Sequence, residues 1–214
     1  MIKVENVSVS GFSAAARGMR NPLASHAKSD SAFKGSEFIV GPNDLDLMHR
    51  LYVSGPEHAK YLRQIHVSMD VTAPLYWWKE ADQYKVATST NSYSTMHKIA
   101  SKEFTLDDFS HEHLTPHAQT YLEATIGELN YYRNVYIHGD DHRLKNEKEV
   151  WWQMIQLLPS SYNQKRTWDF DYQTAISMIN QRSNHKLDEW RTFTAMLLQL
   201  PNIKEIINGT GTSK

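Results

Sequence analysis

The order of the predicted segments constrains the fold of this chain more than any other feature of its sequence. Strand-like patterns come early and helix-like patterns come late. Apolar residues alternate over residues 2–10 and from Leu62 to Val71, which is the period of a half-buried strand. Four helices are predicted further along: Pro116 to Tyr136, Asn146 to Leu158, Asp171 to Gln181 and His185 to Leu200. This order indicates an α+β domain with a small sheet and a mostly helical C-terminal half. We expect a single domain over residues 1–207 and a disordered tail at 208–214.

Glycine and proline divide the N-terminal half into shorter segments. They predict a helix at 12–19, a long loop at 21–35, a helix at 42–53, a helix from 72 to 84 and a polar strip at 88–95. The polar strip, Thr88–Thr95, is rich in Ser and Thr and poor in helix formers. Loops as long as the one at 21–35 are often functional in compact domains.

Composition excludes several classes of function. The 214 residues include no cysteine, so disulfides, thiolate metal sites and thiol nucleophiles are ruled out. The net charge of -1 gives no overall attraction to a nucleic-acid polymer or an anionic membrane, so any anion site must be local. No apolar run approaches the roughly 18–20 residues that span a bilayer, and the N-terminal sequence lacks a signal-peptide pattern. We therefore expect a cytoplasmic protein.

Two polar stretches contain the most specific motifs. The first holds Ser89-x-Asn91-x-x-Ser94. The second, from Leu158 to Arg191, combines Leu-Pro, a Tyr, a Trp before a helical run, and Arg182 near the end of that run. Together they resemble the flavin-dependent (alternative) thymidylate synthases, whose signature is R-H-R-x-x-S-x-N-x-x-S-x-R-Y.

The resemblance implies a fold, a cofactor and a set of site residues. It implies the thymidylate-synthase-complementing fold, FAD as cofactor, a nucleotide ligand and a homotetramer with sites between subunits. Arg182 falls on the family's catalytic Arg, which contacts the pyrimidine, and Asp171 falls where the family commonly has Asn. The implied ligand-binding residues are Tyr84, Lys85, Ser89, Asn91, Ser94, Gln153 and Gln156. The implied cofactor-binding residues are Gln83 and His97.

Several arginines of the family signature are replaced here. Only Lys85 keeps a positive charge in the first triplet, and Met96 stands where the later Arg belongs. An Arg offers a planar pair of donors to phosphate that a Lys does not. Each such bond contributes roughly 1.5–3 kcal/mol, so losing two lowers affinity by roughly 10²- to 10⁴-fold. Either other cations replace them, for which Arg17, Arg20, Lys28 and Lys34 are candidates, or the ligand differs.

Each of these features also has a structural interpretation. The polar strip is equally typical of a solvated loop, and Arg182 is typical of a cation at a helix C-terminus. His111, Glu112, His113 and His117 are more typical of a solvated turn than of a metal site, and no metal is predicted. The pairs Trp77-Trp78 and Trp151-Trp152 are each expected to place one ring in a core and the other on a different face.

Three functional hypotheses remain. The first is a divergent flavin-dependent enzyme that methylates a deoxyuridylate-like substrate without a protein thiol. The second is a non-catalytic protein that binds or sequesters a nucleotide, as a phage-encoded protein acting against host nucleotide signalling would. The third is a structural oligomer in which the Trp and Tyr residues form interfaces.

Overall fold

The structure, a computed structural model, describes residues 2–139 and 146–210. The strands are β1 (Lys3–Ser10), β2 (Ala32–Lys34), β3 (Glu37–Ile39), β4 (His66–Pro74), β5 (Ser89–Ser92) and β6 (Asn163–Asp171). The helices are α1 (Phe12–Gly18), α2 (Pro42–Val53), α3 (Leu75–Ala81), α4 (Thr95–Lys98), α5 (Pro116–His138), α6 (Glu147–Leu157), α7 (Tyr172–Arg182), α8 (Asp188–Leu197) and α9 (Ile203–Asn208). Strands β1, β4, β6 and β5 form one sheet in that order, and β2 pairs antiparallel with β3. The predicted α+β class is confirmed.

Two compact units are built from interleaved stretches of the chain. Unit 1 comprises residues 1–3, 71–83 and 91–166, and unit 2 comprises residues 4–70, 84–90 and 167–214, as far as these are described. Of the predicted disordered tail, Asn208 ends α9, and residues 211–214 lie outside the described residues.

The core of unit 1 lies where α5 and α6 pack on the segment that follows α4. Its buried apolar residues are Ile99, Phe104, Phe109, Leu122, Ile126, Leu129 and Met154. Asn130 of α5 fixes that segment, since its side chain accepts from the backbone N–H of Phe104 and donates to the Phe104 carbonyl, both at 2.8 Å. The segment from 99 to 109 is therefore held in place although little of it is regular.

The core of unit 2 is dominated by aromatic rings from β6, α7 and α8. The ring of Trp168 stacks on Phe193 with centroids 5.7 Å apart, and Trp190 meets Phe193 edge-on. Asp171 ends β6 and caps α7, because its carboxylate accepts from the backbone N–H of Thr174 at 2.8 Å. This cap fixes the start of the helix that carries Arg182.

Several predicted segments differ in the structure. The strand predicted at 62–71 is β4, which starts at His66 and continues to Pro74, so the next helix starts later than predicted. Buried residues alternate through it, at Val67, Met69, Val71 and Ala73. The loop predicted at 21–35 contains two 3-10 turns, Asn21–Leu23 and His26–Lys28, and strand β2. The sequence patterns missed strands β3, β5 and β6 and helices α4 and α9.

The tryptophan pairs behave differently from each other. Trp77 and Trp78 are both buried, so the prediction of one outward ring is wrong for this pair. The indole N–H of Trp78 donates to the Gln164 carbonyl at 2.9 Å, which makes its full burial possible. Trp151 packs against the unit 1 core while Trp152 is 42% exposed, as predicted.

Candidate functional site

A cavity of about 880 Å³ lies in unit 1. We call it the unit 1 cavity. Its walls come from the strip after β5, from α4 and the segment after it, from the turn before α5, and from the start of β6. The lining residues are Lys3, Thr72, Tyr93, Ser94, Thr95, Lys98, Ile99, Ser101, Lys102, Asp107, Asp108, Phe109, His111, Glu112, Tyr162, Asn163, Gln164 and Lys165. Its size lies within the range of small-molecule sites.

Two hydrogen bonds with β6 residues hold the part of the polar strip that reaches this cavity. The backbone N–H of Tyr93 donates to the Lys165 carbonyl at 3.0 Å, and the amide of Gln164 donates to the Tyr93 carbonyl at 2.8 Å. Ser94 caps α4 by accepting from the backbone N–H of His97 at 3.1 Å. The Tyr93 ring nevertheless stays 69% exposed. A fixed backbone therefore presents an aromatic face at the cavity wall.

Charges of both signs line the unit 1 cavity. Four lysines and three carboxylates contribute, and Lys102 forms an ion pair with Asp108. In the part of the chain that the structure describes, the side chains of Lys98 and Asp107 have no hydrogen bond or ion pair. Both are exposed to solvent. One cation and one anion are thus available to a ligand.

Tyr162 supplies a neutral phenol to the same wall. Burial, together with the negative charge of Asp108, raises the pKa of Tyr162, although Lys102 opposes the shift. The phenol therefore stays protonated at neutral pH, and its O–H is able to donate a hydrogen bond to a ligand. Its ring packs edge-on against Phe109 with centroids 5.6 Å apart, so its position is fixed.

In unit 2, Arg182 is surrounded by aromatic rings. Its guanidinium carbon lies 5.2 Å from the Trp190 ring centroid and 5.8 Å from that of Tyr84. Its Nε donates to the Tyr84 hydroxyl at 3.2 Å, and that hydroxyl donates to Gln181 Oε1 at 2.9 Å. The arginine is half-buried, and its orientation is set by these contacts. The two predicted site residues Tyr84 and Arg182 are thus in direct contact.

Unit 2 also contains a cavity of about 440 Å³, the unit 2 cavity. Its lining residues are uncharged: Tyr52, Val53, Pro56, Ala59, Leu62, Gln173, Ile176, Ser177, Asn180 and Gln181. Arg63 Nε donates to the side-chain oxygen of Gln173 at 2.6 Å, which places a cation beside one lining amide. The arrangement suits a flat, largely apolar group with an amide-like edge.

The other predicted site residues are dispersed over the surface. Ser89, Asn91, Lys85 and Gln156 are exposed. The side-chain amides of Gln83 and Gln153 each donate to the carbonyl four residues earlier, that of Lys79 and of Glu149. His97 lines a separate groove of unit 1, of about 470 Å³, with Met96 and Trp151. Their proposed roles stay predictions.

Arg20 was a candidate replacement for the missing phosphate-binding arginines, and the structure gives it another role. It is 4% exposed and forms an ion pair with the fully buried Asp44. Its remaining nitrogens donate to the carbonyls of Ser25 and Lys28, both at 3.2 Å. Its contacts therefore hold the two 3-10 turns of the 21–35 segment in place.

Neither a metal centre nor a membrane-spanning helix is found in the described residues 2–139 and 146–210. No group of three His, Asp or Glu side chains there is placed to hold a metal ion. None of the helices in these ranges is both long enough and apolar enough to cross a membrane.

The residues that sequence reasoning missed are Tyr93, Lys98 and Asp107. Tyr93 lies inside the recognised motif, at an unspecified position between Asn91 and Ser94. Lys98 follows Ser94 by four residues, so both lie on the same side of a helix that Ser94 caps, a spacing that the sequence already contained. Asp107 had no such signal, because a 3-10 turn distant in sequence from the motif brings it to the cavity.

Comparison with solved structures identifies the fold of this chain. No protein-family model matches the chain, and no curated protein matches it. Among solved structures, its fold is that of flavin-dependent thymidylate synthases. One is thymidylate synthase X (ThyX) from Helicobacter pylori with FAD and dUMP, at 14% identity, a TM-score of 0.66 and 96% coverage of each chain. Another ThyX structure from Helicobacter pylori, complexed with FAD and dUMP, has 15% identity, a TM-score of 0.66 and coverage of 95% of this chain and 96% of that chain. The fold implied by the sequence resemblance is confirmed.

Proposed function

We propose that this protein, which has the ThyX fold, binds a nucleotide or nucleotide-derived ligand in the unit 1 cavity. The observation that carries the proposal is the combination there of an exposed Tyr93 ring, an available Lys98 ammonium and the motif residue Ser94. An aromatic face stacks a base, and an ammonium and a hydroxyl bind a phosphate. The solved neighbours contain a nucleotide, dUMP, which supports this class of ligand.

FAD, present in those neighbours, fits the chemistry of the unit 2 cavity. The isoalloxazine ring is flat and apolar, with an edge of carbonyls and an N–H. The amides of Gln173, Asn180 and Gln181 would hold that edge, and Arg63, which is hydrogen-bonded to Gln173, would supply a cation beside it. A bound flavin supplies hydride transfer. The family resemblance implies that Arg182 is the catalytic arginine of an enzyme, and Tyr84 and Trp190 orient its guanidinium.

A second candidate is a protein that binds or sequesters a nucleotide without chemistry. The replacements in the signature favour it, because Lys85 is exposed and Met96 cannot donate a hydrogen bond. A flavin absorbance spectrum together with deuteride transfer to deoxyuridylate supports the enzyme. A colourless protein that releases a nucleotide on denaturation, measured by mass spectrometry, supports the non-catalytic binder.

Substituting lysines tests the location of the nucleotide site. Lys98→Ala is expected to weaken nucleotide binding by roughly 10- to 100-fold, the effect of one charge-assisted hydrogen bond. Lys85→Ala is the matched comparison, because Lys85 is the lysine that the motif predicts and it does not line the unit 1 cavity. Calorimetric titration with the released nucleotide measures both. A loss of nucleotide affinity in Lys85→Ala, with no loss in Lys98→Ala, would mean that the nucleotide does not bind in the unit 1 cavity.

We also propose that the protein is a cytoplasmic homo-oligomer, a tetramer as the family resemblance implies. The exposed Tyr121 and Tyr131 on α5 support an interface, because large aromatic side chains are enriched at interfaces. Light scattering on the purified chain is expected to give four times the monomer mass of 24.8 kDa. A monomeric mass at micromolar concentration contradicts this proposal.

A further inference from the structure

The available carboxylate of Asp107 in the unit 1 cavity indicates which base a nucleotide ligand carries. Asp107 lies on the 3-10 turn Leu106–Asp108, and its side chain takes no part in the capping box that stabilises this turn. Its neighbour Asp108 accepts from the backbone N–H of Thr105 at 2.9 Å and also pairs with Lys102. Asp107 therefore presents an exposed carboxylate whose position is set by the capped turn.

Lys98 and Asp107 do not neutralise each other, although both line the cavity. Within the described residues no ion pair joins them, so nitrogen and oxygen lie more than hydrogen-bonding distance apart. A ligand that uses both must have an anionic end and, separately, an end that donates hydrogen bonds. A nucleoside monophosphate has this arrangement, with the phosphate at one end and the edge of the base at the other.

An ionised carboxylate only accepts hydrogen bonds, and it can accept two in parallel. Among the common bases, guanine alone offers two adjacent donors, N1–H and the 2-amino group. The single ring N–H of uracil is flanked by two carbonyl oxygens, which repel a carboxylate. The amino groups of adenine and cytosine each adjoin a ring nitrogen that is an acceptor, which has the same effect.

We propose that the unit 1 cavity binds a guanine nucleotide, with Asp107 accepting from N1–H and the 2-amino group, Tyr93 stacking on the base and Lys98 binding the phosphate. This rests on the proposed function, namely that the cavity is a nucleotide site. The base assigned here differs from the uracil of dUMP in the solved neighbours. It also favours binding over pyrimidine methylation.

Titration calorimetry with GMP, IMP, AMP and dUMP on the full chain tests the proposal. GMP is expected to bind tightest. IMP, which lacks the 2-amino group, is expected to bind roughly 10- to 100-fold more weakly because one bond to a charged acceptor is lost. Tight binding of dUMP or AMP over GMP overturns the guanine assignment. Absence of binding by every nucleotide instead overturns the proposed function.

The variant Asp107→Asn tests the preference for GMP over XMP, which a purely structural role of Asp107 would leave unchanged. Asparagine offers one acceptor and one donor, which match N1–H and the 2-carbonyl of xanthine. The variant is therefore expected to lose its preference for GMP over XMP or to reverse it. Glu103→Gln is the matched control, since Glu103 is exposed nearby but does not line the cavity, and its preference should equal that of the wild type. An unchanged preference in Asp107→Asn contradicts the assignment even if nucleotides bind.

Discussion

Asp44→Ala is expected to lower the free energy of unfolding by about 3–5 kcal/mol, because it leaves a buried guanidinium without its counter-charge. Asp44 is fully buried at the start of α2, and it accepts from Arg20, Ser29 and Ser31. Removing the carboxylate also breaks the bonds by which Arg20 and the two serines attach the 21–35 segment to α2, while Asp30 still accepts from the backbone N–H of Asn43 at 2.8 Å. Denaturant unfolding of the wild type and the variant measures the difference.

Asp46→Ala is the matched control for this prediction. Asp46 lies on the same helix and pairs with Arg50, but both side chains are more than half exposed. Such a pair contributes about 0.5 kcal/mol or less. Equal losses for the two variants would mean that the buried network around Asp44 does not stabilise the fold.

The same network makes the free energy of unfolding depend on pH in the acid range. Burial alone would raise the pKa of Asp44, but the hydrogen bonds from Ser29, Ser31 and Arg20, with the charge of Arg20, outweigh it and lower the pKa. Since the folded pKa lies below the unfolded value near 3.8, the contribution is complete above that value. It is lost as the pH falls through the folded pKa. Asp44→Ala should therefore show a smaller loss of stability below about pH 4 than the wild type.

Segments with strong local signals could be predicted from sequence. The helix at 42–53 has the predicted bounds, because Pro42 starts it and Gly55-Pro56 follows its end. The start of α7 was predicted within one residue, since Asp171 is a good cap. In both cases residues within one turn of the boundary decide it.

Segments whose structure depends on distant partners could not be predicted. The sequence of β6, NQKRTWDFD, is too polar for an interior strand, yet β6 lies between β4 and β5. The hairpin of β2 and β3 has only three residues in each strand, too few for an alternating pattern to indicate a strand. Local patterns contain no information on such pairing.

The candidate site divides in the same way. Motif spacing pointed to Ser94, which lines the unit 1 cavity, and to Tyr84 and Arg182, which contact each other in unit 2. The functional roles assigned to these residues stay predictions. Asp107 was out of reach, because its place in the cavity follows from the fold of the 99–109 segment around Asn130. Tyr84 stands in the triplet that is Arg-His-Arg in the family signature, and its hydroxyl accepts a hydrogen bond from Arg182 Nε.

Trp190→Ala is expected to lower the free energy of unfolding by about 3–5 kcal/mol, the usual effect of removing a buried tryptophan from a core. The Trp190 ring is fully buried and meets Tyr84, His185 and Phe193 with centroids 5.9, 6.4 and 6.0 Å away. It is also the nearer of the two rings that face the Arg182 guanidinium. The substitution therefore removes core packing and one support of the proposed catalytic arginine.

Two further variants separate these effects. Unfolding in guanidinium chloride measures both variants. Trp152→Ala removes a side chain that is 42% exposed, so a loss of only about 1 kcal/mol is expected. Trp190→Phe keeps an aromatic face toward Arg182 and should recover part of the stability lost in Trp190→Ala, because less volume is removed from the core. If Trp190→Ala destabilises the protein no more than Trp152→Ala, α8 is not packed on β6 and α7 in the way the structure shows. The orientation of Arg182 would then lack one of its supports.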